Sequence, residues 1–211
     1  MKVLAVDFLR SAASADDFPR DGLPQLAVVG RSNVGKSTLI NALVKRIVAR
    51  TSAAPGKTRH VNLFRVTLAA GAGLDRFFLA DLPGYGYARG GRAAQLEFEA
   101  LTRDYFACPA AERDAPRGIP LGPTAVIQLV DARHPGLDTD LGAHAWLMAQ
   151  DRPVAVVATK IDKLTRAERV RAKQIWNNSL NTPVLPVSAA SGEGLEDLWT
   201  LIVKLLRPEA A

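Results

Sequence analysis

Short apolar runs alternate along this chain with longer stretches whose apolar positions recur every three or four residues, the pattern of strands alternating with helices. Residues 25–29 (QLAVV) form a compact strand that ends at Gly30. Residues 38–48 follow as a helix, with Leu39, Ile40, Leu43, Val44 and Ile47 on one face. Two strands, 61–68 and 76–80, flank the glycine-rich tip 69–73 and read as a hairpin, which sets one strand antiparallel to the rest. Residues 92–106 give a second helix with Leu96, Ala100 and Leu101 on one side, and the proline-rich stretch 109–123 an exposed connection. Residues 124–130 (TAVIQLV) and 154–158 (VAVVA) are apolar runs of the kind found in strands covered on both faces. Helices are predicted over 137–150, 166–178 and 193–206, the last two flanking a short strand at 184–187.

This order predicts an α/β fold: one domain over residues 23–206, with a six-stranded, mostly parallel mixed sheet and about five flanking helices. Residues 1–22 carry mixed charge without a clear period and read as a loosely packed lead-in; 207–211 form a tail. A length of 211 residues fits one domain, and 48% hydrophobic with 23% charged residues excludes a disordered chain. No apolar stretch is long enough to span a bilayer, and Asp7 interrupts the apolar start too early for a signal-peptide core. The lone Cys108 has no partner for an internal disulfide, which fits a reducing cytoplasm; a monomer is expected. The net charge of +6 leans toward polyanionic partners.

The chemistry concentrates in a few short segments. Gly30, Arg31, Ser32, Asn33, Val34, Gly35, Lys36 and Ser37 satisfy G-x-x-x-x-G-K-[ST] between a predicted strand and a predicted helix. Glycines let the backbone N–H groups curl toward phosphates, Lys36 reaches the β and γ oxygens, and the Ser37 hydroxyl ligates Mg²⁺. Thr38 continues this segment into the dipole of the helix. Asp81, Leu82, Pro83 and Gly84 close the strand 76–80, where a second carboxylate on the magnesium side belongs. Asp81 would hold a metal-bound water and the Gly84 N–H would bond a γ-phosphate. A strand ending in D-x-P-G is also compatible with a plain turn. Thr159, Lys160, Ile161 and Asp162 follow the strand 154–158. The Asp162 carboxylate can accept both N1–H and the exocyclic amine of guanine, while Lys160 lies along the base; alone, the same four residues also fit a capped helix start. Ser188, Ala189 and Ala190 follow the next strand in the order expected of a base-side loop. Between the phosphate loop and Asp81 lie Gly56, Lys57, Thr58, Arg59 and His60, with Thr58 the candidate to join Mg²⁺ when a γ-phosphate is present, or simply the lead into the strand at 61.

Taken together, GRSNVGKS, APGKT, DLPGYGYA, TKID and SA resemble the EngB branch of bacterial ribosome-associated GTPases, from about residue 23 to residue 206. The resemblance implies a Ras-like domain, Mg²⁺-dependent hydrolysis of GTP to GDP, and a role in assembling the large ribosomal subunit through its rRNA. It also implies a part in normal cell division and septation. Tyr85 stands where Ras-like enzymes place a water-orienting Gln, so slow intrinsic hydrolysis is expected. Thr159 replaces the commoner Asn, which points to looser guanine binding. Relatives with Asn at the position of Asn33 often use K⁺ in place of an arginine finger, and Asn33 is the candidate K⁺ ligand here. Lys57, Arg59, His60, Arg89 and Arg92 put positive charge on the two nucleotide-sensing loops, whereas Lys163, Arg166, Arg169, Arg171 and Lys173 also fit a solvated helix face. Two other readings stay open: a nucleotide-gated RNA-binding module with negligible turnover, and a P-loop kinase, against which Asp162 argues.

Overall fold

The computed structural model describes residues 1–49, 60–70, 73–85, 91–109 and 122–207. Strands β1 (Val3–Ala12), β2 (Gln25–Gly30), β3 (Val61–Leu68), β4 (Arg76–Asp81), β5 (Ala125–Asp131), β6 (Val154–Thr159) and β7 (Val184–Pro186) form one sheet in the order β1-β3-β4-β2-β5-β6-β7. Helices α1 (Lys36–Val44), α2 (Gly91–Ala107), α3 (Asp138–Met148), α4 (Arg166–Leu180) and α5 (Leu195–Leu206) cover it. The β3–β4 pair is the antiparallel hairpin, and β4, β2, β5, β6 and β7 run parallel. The mixed, mostly parallel α/β class therefore stands, with one strand more than the sequence pattern predicts.

The extra strand is β1. The expectation of a loosely packed lead-in is corrected: Val3–Ala12 pairs antiparallel with β3 along its length. Two register shifts, between Val3 and Ala5 and between Phe8 and Arg10, break the alternation that would have marked it as a strand. Beyond it Phe18 is buried and packs on Tyr105 of α2, ring centroids 4.8 Å apart.

Each face of the sheet carries its own core. On one, Leu39, Ile40 and Leu43 of α1 and Leu198, Trp199 and Ile202 of α5 meet Val28, Phe77 and Ile127. On the other, Leu101 and Tyr105 of α2 and Leu147 of α3 meet Val29, Leu63 and Val126, and Trp176 of α4 lies against Val130 and Val156. Strands β2 and β5 are buried at every position, which explains their unbroken apolar runs.

Two side chains assigned to apolar helix faces turn out to be exposed. Helix α1 ends at Val44 because Lys45 takes a left-handed conformation, φ 52°. The chain turns away, and Ile47 is 92% exposed rather than on the helix face. In α2, Leu101 is buried but Ala100 is exposed. The connection at 110–121, the tip residues 71–72 and the tail at 208–211 lie outside the described residues.

Candidate nucleotide-binding site

The parallel strands deliver their C-terminal ends to one edge of the sheet, where ligands collect in open α/β folds. Here β2 runs straight into residues 30–37. Gly35, at φ 108°, makes the turn into α1 in a conformation that strains any side-chain-bearing residue. It offers no capping side chain, which leaves the first N–H groups of α1 without a side-chain cap, the arrangement that can accept an anion. Asn33 also sits at positive φ, 62°, and is exposed. Val34 is buried beneath the loop, while Arg31, Ser32, Lys36 and Ser37 are half-buried and Thr38 is exposed. The Lys36 ammonium donates to the Gly30 carbonyl at 3.4 Å, closing the loop on itself.

Asp81 closes β4 directly beside this loop. It is 3% exposed, and its Oδ1 has no hydrogen-bond partner among the described residues. Burial pushes its carboxyl up to about 6 against the pull of Lys36, and the same burial lowers the Lys36 ammonium. A buried carboxylate oxygen without a partner among the described residues, coupled to Lys36 of the phosphate loop, fits a hydrated divalent cation. Leu82 and Pro83 are buried, so the D-L-P-G segment is a packed wall and not a surface turn. Gly84 lies against the phosphate loop: a Cβ there would come within 2.8 Å of the Ser32 nitrogen. The Ser32 N–H donates to the Tyr85 carbonyl at 3.1 Å, joining the two segments.

The base-side residues converge on the same loop. Thr159, the last residue of β6, donates its hydroxyl to the Val34 carbonyl at 2.6 Å. Lys160, at φ 63°, extends its ammonium to the Asn33 carbonyl and to Asp131 Oδ2 at 2.9 Å. Ile161 is buried and opens a single 3-10 turn, Ile161–Lys163, that presents Asp162. Ser188 Oγ donates to Asp162 Oδ1 at 2.8 Å, and this bond chiefly holds the Asp162 carboxyl below its ordinary range. Ala189 is half-buried and Ala190 exposed. As a helix start TKID leads only into this 3-10 turn, without a capping side-chain hydrogen bond; α4 begins at Arg166, four residues past Asp162, under a capping box of Thr165 and Glu168.

Gly56, Lys57, Thr58, Arg59 and Arg89 lie outside the described residues; His60 is exposed, and Arg92 stands in the first turn of α2. Lys163, at the end of the 3-10 turn, and Arg166, Arg171 and Lys173 of α4 are exposed, while Arg169 is bound to Glu193 at 2.9 Å.

Sequence reasoning missed two supports. Asp131, at the end of β5, is gripped by Arg133 at 2.7 and 2.9 Å as well as by Lys160. Burial raises its carboxyl, but those hydrogen bonds outweigh burial and hold it well below the carboxylate range. Asn41 of α1 accepts from the Val48 and Ala49 N–H groups and donates to the Ala49 carbonyl, all within 2.9 Å, which anchors the stem leading to residue 50. A buried charge ending an apolar strand was the available signal for Asp131; nothing in the local sequence marks Asn41.

A phosphate loop at a strand end, a buried carboxylate one strand away and an Asp after β6 fixed by Ser188 are the arrangement of a P-loop GTPase domain. The family model for 50S ribosome-binding GTPases matches residues 25–160. A probable GTP-binding protein EngB from Anaeromyxobacter sp. (strain K) is 40% identical over 99% of this chain and 94% of its own length. One from Lactobacillus gasseri is 37% identical over 96% and 98%. The chain belongs to the EngB family of GTP-binding proteins. Among solved structures, a probable engB protein superposes with a TM-score of 0.62 at 22% identity, covering 87% of this chain and 98% of that one. Aquifex aeolicus Era bound to GDP and aluminium fluoride gives 0.70 at 23%, covering 89% and 57%. Both share the fold. Among the described residues no helix is long and apolar enough to cross a membrane.

Proposed function

We propose that this protein is a cytoplasmic, monomeric GTP-driven switch with slow intrinsic hydrolysis that acts in assembly of the large ribosomal subunit. Through that role it is needed for normal cell division and septation. The observation that carries the reading is the tether of Thr159 and Lys160 to the Val34 and Asn33 carbonyls, which fixes the guanine-reading Asp162 relative to the phosphate loop. Asp162 accepts from guanine N1–H and the exocyclic amine, with Ser188 holding its other lone pairs in place and Lys160 lying along the base. Ala189 and Ala190 complete the wall of the base pocket. The phosphates sit on the N–H groups of residues 30–38 and on the segment 56–60, while Lys36 and the Gly84 N–H meet charge developing at the γ-phosphate.

Ser37, Thr58 and, through a water, Asp81 would hold Mg²⁺, which neutralises charge on the phosphate oxygens when bound. Asn33, exposed on the rim of the loop, is the proposed K⁺ ligand; equal hydrolysis in KCl and NaCl, unaltered by Asn33→Ala, would remove that assignment. Tyr85 does not supply the missing Gln: its hydroxyl is turned to Asp140 at 2.9 Å, which supports slow turnover and keeps a nucleotide-gated RNA binder as the second reading. The large-subunit partner draws on the match to 50S ribosome-binding GTPases and on the basic character of the chain. Co-sedimentation with separated ribosomal subunits, with GDP against a non-hydrolysable GTP analogue at two salt concentrations, tests it. Binding to the large subunit only with the analogue is the expected result. Equal pelleting in both states, lost in moderate salt, would mean that net charge alone adheres to RNA.

A further inference from the structure

A cluster of buried polar side chains lies behind the phosphate loop. Asp140, in the first turn of α3, is fully buried. The Tyr85 hydroxyl donates to its Oδ1 at 2.9 Å. Its Oδ2 faces Arg31 Nε across 3.9 Å, and neither of these two atoms has a hydrogen-bond partner among the described residues. Below, Gln128 of β5 donates to the Asp140 carbonyl at 2.9 Å, and its other amide atom lies 2.7 Å from His144 Nδ1. The carboxylate is thus seated on a polar stack from β5 and α3 and presents one oxygen to each of two loops.

A buried carboxylate is costly wherever an apolar side chain would pack as well, so its placement calls for a role beyond filling space. Burial raises the Asp140 carboxyl, and the Tyr85 hydrogen bond and the Arg31 charge draw it back down. The two segments that it touches are those that also touch each other. Arg31 and Tyr85 form a parallel bridge, the Ser32 N–H donates to the Tyr85 carbonyl at 3.1 Å, and Gly84 abuts Ser32 too closely for a Cβ.

We propose that Asp140 is a positioning residue that sets the register between the phosphate loop and the segment after Gly84, holding Tyr85 with one oxygen and Arg31 with the other. With the Tyr85 carbonyl and phenol both fixed, the Gly84 N–H one residue earlier keeps a defined distance from the phosphate loop. This inference rests on the reading of that N–H as a γ-phosphate donor. GDP has no γ-phosphate, so the clamp acts on triphosphate affinity and hydrolysis and leaves diphosphate affinity alone.

The test compares wild type with Tyr85→Phe and Asp140→Asn in titrations with GDP and with a non-hydrolysable GTP analogue, both with Mg²⁺, and in single-turnover hydrolysis. Tyr85→Phe keeps the ring and removes only the hydroxyl. It should weaken the analogue about fivefold to tenfold, slow hydrolysis in proportion, and hold GDP affinity within about twofold. Asp140→Asn retains an acceptor for Tyr85 and loses the charge opposite Arg31, so its loss should be smaller and confined to the analogue as well. Equal weakening of GDP and analogue would show a general support of the loop and overturn the proposal, as would no change in either. If wild type fails to prefer GDP to ADP, the nucleotide-site reading itself falls, and the inference with it.

Discussion

The hydroxyl of Thr159 donates to the Val34 carbonyl at 2.6 Å, with the Val130 carbonyl at 3.2 Å, and so ties the end of β6 to the phosphate loop across 125 residues of sequence. Thr159 is buried, so a side chain of the same shape without the hydroxyl leaves the Val34 carbonyl without this partner away from water. Thr159→Val should cost about 1–3 kcal/mol of stability and weaken GDP binding about tenfold, while Thr159→Ser recovers most of both. Thermal melts and fluorescent-GDP titrations check it. A Val variant that binds GDP like wild type would show the tether to be dispensable.

Asp162 reads the base through charge and geometry, and both can be inverted. With Asn in its place the amide oxygen still accepts from N1–H, but the amide nitrogen now faces an exocyclic amine and suits a carbonyl instead. Asp162→Asn should therefore lose at least about tenfold in GDP affinity and gain for xanthosine diphosphate, by the scale of one bidentate base contact. Competition titrations with GDP, xanthosine diphosphate and ADP measure it. Loss of all three affinities together would place the residue outside base recognition.

The pH dependence of stability follows from Asp81. Its folded pKa of about 6 lies above the ordinary carboxylate value near 4. Between those values the folded protein holds a proton that the unfolded chain has released, so stability falls as pH rises across that window and levels off above it. Asp17 and Asp162 are shifted the other way, by hydrogen bonds from the Ala13 backbone and from Ser188 respectively. Their contribution is present above the ordinary carboxylate value and is lost as pH falls below about 4. Denaturant melts from acid to neutral pH should show both limbs, and Asp81→Asn should flatten only the upper one, leaving the part that the raised Asp140 carboxyl contributes. Affinity for Mg²⁺ with GDP should rise with pH through about 6, since the ionised carboxylate is the form that pairs with a hydrated cation.

Much of this arrangement is legible in the amino-acid sequence, for identifiable reasons. A phosphate loop needs fixed glycines, a Lys and a hydroxyl at set spacings, so residues 30–37 announce themselves. Strands β2 and β5 are buried on both faces and read as continuous apolar runs. What stays hidden depends on contacts far apart in sequence. Asp140 and Tyr85 lie 55 residues apart, and no local pattern joins them. Ile47 satisfies the helical period, yet Lys45 ends α1 before the period can act. Strand β1 is obscured by its own irregular register, which moves side chains between faces and erases the alternation.

That first segment offers a direct contrast between core and surface. Phe8 of β1 is 59% exposed and touches Phe64 edge-on, whereas Phe18, just beyond β1, is 2% exposed and packs on Tyr105. If the segment were a loose lead-in, both substitutions to Ala would be silent. With β1 part of the sheet and Phe18 part of the core, Phe18→Ala leaves a cavity over α2 and should cost about 3–5 kcal/mol. Phe8→Ala removes a half-solvated edge contact and should cost about 1 kcal/mol or less. Equilibrium unfolding in urea gives both numbers. The order of the two costs is the decisive reading, because only packing of residues 1–22 onto the domain makes the second Phe the dearer one to lose.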